Sequence, residues 1–178
     1  MHCVLFRHGI AVDREDWEGA EEDRPLTDRG AKRVAQVSEG LKWLELQPTH
    51  VFSSPLLRAI ETAKILQEAH RVRSVVQIVD ELLPDASPDR LLTRLSELPP
   101  ESCVFCVGHE PHLGLAASLM LAGKPAMGFP FKKAGACLIE IAMPLKPGRG
   151  LLHWWMGPSQ LRALGRKKLK SEKLPLKA

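Results

Sequence analysis

Three observations predict an α/β chain folded as a three-layer αβα sandwich around a mostly parallel central sheet. Short apolar runs alternate with helix-periodic segments along the whole chain, the pattern of βαβ units. One run, Cys103 to Val107, is almost wholly apolar, as a central strand covered on both faces must be. Several runs end in residues suited to turning the chain into a helix or loop, such as Arg7-His8-Gly9, Ser54-Pro55 and Gly108-His109.

The elements follow in order. Residues 2–6 form the first strand, and residues 10–26 a polar loop. Thr27 caps a helix running to about Leu46, with Val34, Val37, Leu41 and Leu44 on one face. Val51 to Ser53 is a short strand. Ser54 as cap and Pro55 as first helical residue open a second helix, with Ile60, Ala63 and Leu66 inward. Val75 to Val79 is a strand, and Ser87-Pro88 repeats the cap chemistry before Leu91 to Leu95. After the central strand, Gly108 to Pro111 leads into a helix reaching about Leu121. Ala136 to Ala142 and Leu151 to Met156 are strands parted by a Pro/Gly turn at 144–150, and Gln160 to Gly165 is a last short helix. No internal repeat or linker divides the chain, so residues 1–165 form one domain and 166–178 a basic tail.

A 178-residue chain that is 44% hydrophobic and 26% charged has enough apolar mass for one sizeable core. The absence of Tyr and the low aromatic content argue against a base-stacking nucleic-acid surface. The longest apolar stretch, Leu113 to Ala122, is too short to span a bilayer. Arg7 follows the first residues before any signal-like run, so a cytoplasmic protein with no membrane partner is expected. The four cysteines, Cys3, Cys103, Cys106 and Cys137, lie in strand-like contexts as small core residues. Charge is uneven. Residues 13–24 carry seven acids against Arg14 and Arg24, and residues 159–178 carry seven bases against Glu172. The tail reads as a solvated terminus; an acidic partner or nucleic acid is the alternative. The acidic loop, if it borders a pocket, repels polyanions and favours a protein substrate with basic surroundings.

The polar residues at three strand ends are of one chemical kind. Arg7-His8-Gly9 ends the first strand, Arg58 falls in the first turn of the second helix, and His109 follows the central strand. Taken singly they read as a surface turn, an exposed helix arginine and a satisfied structural histidine. In open α/β sheets, however, sites form at the carboxyl ends of strands. A helix N-terminus with an arginine is a ready anion site. Two Arg and two His at one sheet edge make a pocket for a dianionic phosphoryl group. A metal set of Cys106, His109 and His112 fails because Cys106 lies inside a strand and nothing completes a tetrahedron. The phosphate-binding and nucleophile-elbow motifs of other enzyme classes are absent.

Leu5-Phe6-Arg7-His8-Gly9, Pro25 to Gly30, Ser53 to Ala63 and Val107 to Pro111, in this order and spacing, resemble the histidine phosphatase (phosphoglycerate mutase-like) superfamily. The short length, Lys132 to Gly135 and Trp155 to Pro158 are similar to its small SixA-type branch, the phosphohistidine phosphatases. The resemblance covers about residues 1–165. It implies a phosphoglycerate mutase-like fold, with His8 as the nucleophile that becomes a phosphohistidine. It implies that Arg7, Arg58 and His109 hold the phosphoryl oxygens together with His8. Neither metal nor cofactor is implied. A nucleophilic His8 must be neutral at one ring nitrogen, so the other should donate to a carbonyl or carboxylate.

The chain departs from the mutases after Gly9. Ile10-Ala11-Val12 stands where they carry polar residues, which removes contacts to a phosphosugar acid. By position Glu81 is the first candidate for proton donor and Glu110 the second. A phosphohistidine substrate needs little help, because its distal ring nitrogen takes a proton and a neutral imidazole leaves. The expected substrate is therefore phosphohistidine on a signalling phosphotransfer protein, with phosphate or sulfate also fitting the pocket. A broad small-molecule phosphomonoesterase is the alternative, and a non-catalytic phosphate or phosphohistidine binder the alternative of another class.

Overall fold

The computed structural model describes residues 1–171, with side chains through residue 165. Six strands form one sheet in the order β3-β2-β4-β1-β5-β6: β1 His2–Arg7, β2 His50–Ser53, β3 Gln77–Ile78, β4 Cys103–Gly108, β5 Ala136–Ile141 and β6 Gly150–Met156. Strands β1 to β4 are mutually parallel; β5 runs antiparallel to both β1 and β6. Among the described residues five α-helices complete it: α1 Asp28–Leu41, α2 Leu57–Ala69, α3 Pro88–Ser96, α4 His112–Ala122 and α5 Pro158–Ser171.

Alternation along the strands builds two cores. Cys3 and Leu5 of β1 and Val104 and Cys106 of β4 join Leu91, Leu95, Leu113 and Ala116 of α3 and α4. Val4, Phe6, Phe105 and Val107 face the other way, onto Val34, Val37, Ala63, Leu66 and Leu161 of α1, α2 and α5. This is the three-layer αβα sandwich, with β1 and β4 at its centre. All six residues of β4 are buried, which accounts for its unbroken apolar run. The four cysteines are buried free thiols.

Several boundaries differ from the sequence expectation. Helix α2 starts at Leu57, two residues after Pro55; Leu56 is its cap, and the Ser54 hydroxyl accepts from the Leu56 amide at 3.4 Å and also bonds His109. Its buried face is Arg58, Ala59, Thr62, Ala63 and Leu66, so Ile60 lies off that face. Helix α1 ends at Leu41, where a 3-10 turn at Lys42–Leu44 takes over. Strand β3 keeps only two of its expected residues, because only Gln77 and Ile78 pair with β2. Thr27 caps α1 as expected, accepting a bond from the Gly30 amide at 2.9 Å. The loop 10–26 holds two 3-10 turns, Arg14–Asp16 and Glu21–Asp23. Helix α5 runs beyond the expected residue 165, and residues 172–178 of the basic tail lie outside the described residues.

Candidate active site

The carboxyl ends of β1, β2 and β4 meet at one point of the sheet. Arg7 is in register with Gly108, and the His8 amide donates to the Gly108 carbonyl at 3.1 Å. The Ser54 amide donates to Val107 at 3.0 Å, which ties the β2 exit to β4. Arg7, His8, Arg58 and His109 are thus brought together by the strand order. Two glycines make the crossing tight enough. A Cβ on Gly9 would lie 2.7 Å from Val34 Cγ2, and one on Gly30 would lie 1.9 Å from the Ile10 carbonyl. The loop after His8 therefore lies directly on the first turn of α1.

His8 is held by its own backbone. Its Nδ1 lies 2.7 Å from the Gly9 carbonyl, which can only accept, so Nδ1 carries the proton and Nε2 presents a lone pair. The Gly9 amide donates to Thr62 Oγ1 at 3.1 Å, and that hydroxyl donates to the Arg58 carbonyl at 2.7 Å. One short chain of hydrogen bonds thus couples the loop after His8 to α2. The His8 and His109 rings lie 4.8 Å apart between centroids, and His109 Nε2 is 2.9 Å from Ser54 Oγ.

The two arginines are oriented by groups the sequence reading did not single out. Arg7 Nη1 donates to the Phe131 carbonyl at 2.6 Å. The Phe131 amide donates to Glu110 Oε1 at 3.1 Å, and its ring packs on Trp155 with centroids 4.1 Å apart. Arg58 reaches the acidic loop: Nη1 donates to the Glu21 carbonyl at 3.1 Å and Nη2 lies 3.0 Å from Glu21 Oε1. Arg24 clamps the same carboxylate through both oxygens. The Nε atoms of Arg7 and Arg58 are buried and have no partner among the described residues. Two buried, unpaired cationic donors at one end of the sheet suit an anion. Loop 13–24 does border the site, where Glu21 pairs with Arg58. The excess of acids marked the loop, but nothing in the sequence pointed to Glu21 among them.

The second-choice donor, Glu110, serves as an acceptor. It binds the amides of Phe131 and Gly114, while burial pushes its carboxyl above the usual range. Glu81 sits in a 3-10 turn, Asp80–Leu82, whose Leu82 carbonyl packs beside Gly108. Its carboxylate is 3.4 Å from Arg90 of α3 and lines the groove between that turn and α3.

Burial and the neighbouring cations hold the histidines neutral. His8 is lowered to about 3, by burial first and then by Arg58, Arg7 and Lys133 against the Gly9 bond. His109 is lowered to about 2 by burial, His8 and the two arginines. Burial also lowers His112 to about 4. In the unfolded chain these rings titrate at about 6.5. As pH falls below that value the unfolded chain binds protons the folded one refuses. Each such histidine then removes up to about 1.4 kcal/mol of stability per pH unit, down to its folded pKa. Urea unfolding midpoints should therefore drop between about pH 7 and pH 5. A flat profile over that window would contradict the neutral, buried assignment.

Comparison with known proteins agrees with this geometry. The family model of the histidine phosphatase superfamily (branch 1) matches residues 3–83. An uncharacterised protein of Picosynechococcus sp. is 38% identical over 137 residues, covering 76% of this chain and 82% of its own. The phosphohistidine phosphatase SixA of Escherichia coli K12 is 24% identical over 165 residues, covering 91% of this chain and 97% of its own. The solved structure of the protein histidine phosphatase SixA complexed with tungstate superposes with a TM-score of 0.79 at 24% identity, covering 90% of this chain and 99% of that one. With the sheet order, the motifs and the family model in agreement, the chain belongs to the histidine phosphatase superfamily.

Proposed function

We propose that the protein is a metal-independent phosphatase that hydrolyses phosphohistidine on a phosphotransfer protein in the cytoplasm. The domain proposed to carry this chemistry spans residues 1–165. The observation that carries the reading is the His8 tautomer. A buried imidazole with its Nδ1 proton committed to the Gly9 carbonyl leaves Nε2 as a neutral nucleophile beside two cationic, partly unpaired guanidinium groups. The SixA relative and the tungstate-bound SixA fold support the same class, tungstate being an oxyanion of phosphate-like shape.

In the first step His8 Nε2 attacks phosphorus as the bond from phosphorus to the substrate nitrogen breaks. The departing imidazole keeps the electron pair and leaves neutral once its other nitrogen carries a proton. In the second step water attacks the phosphoryl group on His8, the P–Nε2 bond breaks, and phosphate departs. Arg7, Arg58 and His109 are assigned to the phosphoryl oxygens, where charge spreads in the transition state. Glu81 is assigned as proton donor when the leaving group is an alkoxide. Its carboxylate lies 3.4 Å from Arg90 of α3. Exposed acids around Glu21 favour a protein with basic surroundings over a polyanionic small molecule.

General acid assistance is typically worth about 10² to 10⁴ in rate, and an alkyl ester requires it more than a phosphoramidate does. A phosphohistidine peptide should accordingly exceed sugar phosphates by about 100-fold or more in kcat/KM. Equal values would favour the broad phosphomonoesterase instead.

A further inference from the structure

The far end of the sheet carries a second polar constellation. His2 opens β1 and is in register with Glu140 of β5. On β6, Trp154 pairs with Leu138 and Leu152 with Ile139, so His153 is the extra residue of a bulge. Bulges re-aim side chains. Here the His153 ring lies with Nε2 2.7 Å from Glu140 Oε2 and packs edge-on to His2 at 5.9 Å between centroids. One ligand atom from each of the three residues falls within 4.8 Å of the others. Three neighbouring strands thus present two imidazoles and one carboxylate toward one exposed point.

We propose that His2, Glu140 and His153 bind a transition-metal dication of the zinc type. The donor set is two nitrogens and one oxygen, which suits zinc better than the all-oxygen preference of calcium or magnesium. Around a tetrahedral zinc with bonds near 2.0–2.2 Å, ligand atoms stand about 3.4 Å apart. The three exposed side chains reach that spacing by small rotations, since the sheet already fixes their backbones. The fourth position is open to water. The site joins β1 at the sheet centre to the edge strand β6. It lies a strand length, about 17–20 Å, from His8, so it clamps the sheet and takes no part in phosphoryl transfer.

Tag-free full-length protein, treated with chelator and titrated with zinc chloride by calorimetry, should show a single saturable site. Glu140→Gln and His153→Ala should each weaken it by about 100-fold, at least the cost of losing an outer-shell partner. Cobalt(II) in its place should give the visible absorption of a tetrahedral ion in the wild type, and the variants should lose it. Thermal unfolding should shift upward with zinc in the wild type only, while turnover stays the same throughout. The absence of a saturable site would overturn the proposal, as would variants that bind zinc as tightly as the wild type.

Discussion

Replacing His8 by alanine is expected to lower kcat on a phosphohistidine peptide by about 10⁴-fold or more, the scale of losing a covalent nucleophile. Phosphate affinity should survive, because Arg7, Arg58 and His109 keep their supports. The Phe131 carbonyl holds Arg7, the Glu21 loop holds Arg58 and Ser54 holds His109. Turnover and phosphate or tungstate affinity, measured on the same preparation, separate catalysis from binding. A variant that keeps most of its turnover would exclude His8 as nucleophile. A wild type that binds phosphate but does not hydrolyse the phosphohistidine peptide would instead favour the non-catalytic module.

Arg58→Ala should cost about 10² to 10³ in kcat, the usual loss when a donor to developing charge is removed. Arg58→Lys should recover little of it. A single ammonium cannot direct Nη1 and Nη2 to the Glu21 loop and still offer Nε to the phosphoryl group. The stability cost should be modest, because Thr62 bonds the Arg58 carbonyl and not its side chain. A lysine variant with wild-type kcat would mean that Arg58 acts only as a diffuse charge.

The fold was largely legible because its signals are periodic. The run from Cys103 to Val107 marks a strand with both faces buried, and Val34, Val37 and Leu41 mark the inner face of α1. The misplacements have local causes. Ser54-Pro55 has the chemistry of a helix start, but the Ser54 hydroxyl bonds His109 and the amide of Leu56, which precedes the helix, and the helix begins at Leu57. At β3, apolar residues continue past the two that pair with β2. The gathering of Arg7, His8, Arg58 and His109 could be argued from strand ends and motifs in the sequence. Their supports could not. Phe131 orients Arg7 through its backbone carbonyl, which no side-chain pattern reveals. Glu21 is one acid among seven in its loop, and only the chain's path brings it to Arg58. The His153 bulge likewise depends on a pairing register that composition does not encode.

The covalent intermediate on His8 is the centre of this mechanism, and rapid quench with a radiolabelled phosphohistidine phosphotransfer protein tests it most directly. Brief exposure should leave acid-labile, base-stable label on a peptide containing His8, and none on the His8→Ala protein. Label found on another residue, or no label at all while phosphate is released at full rate, would contradict it.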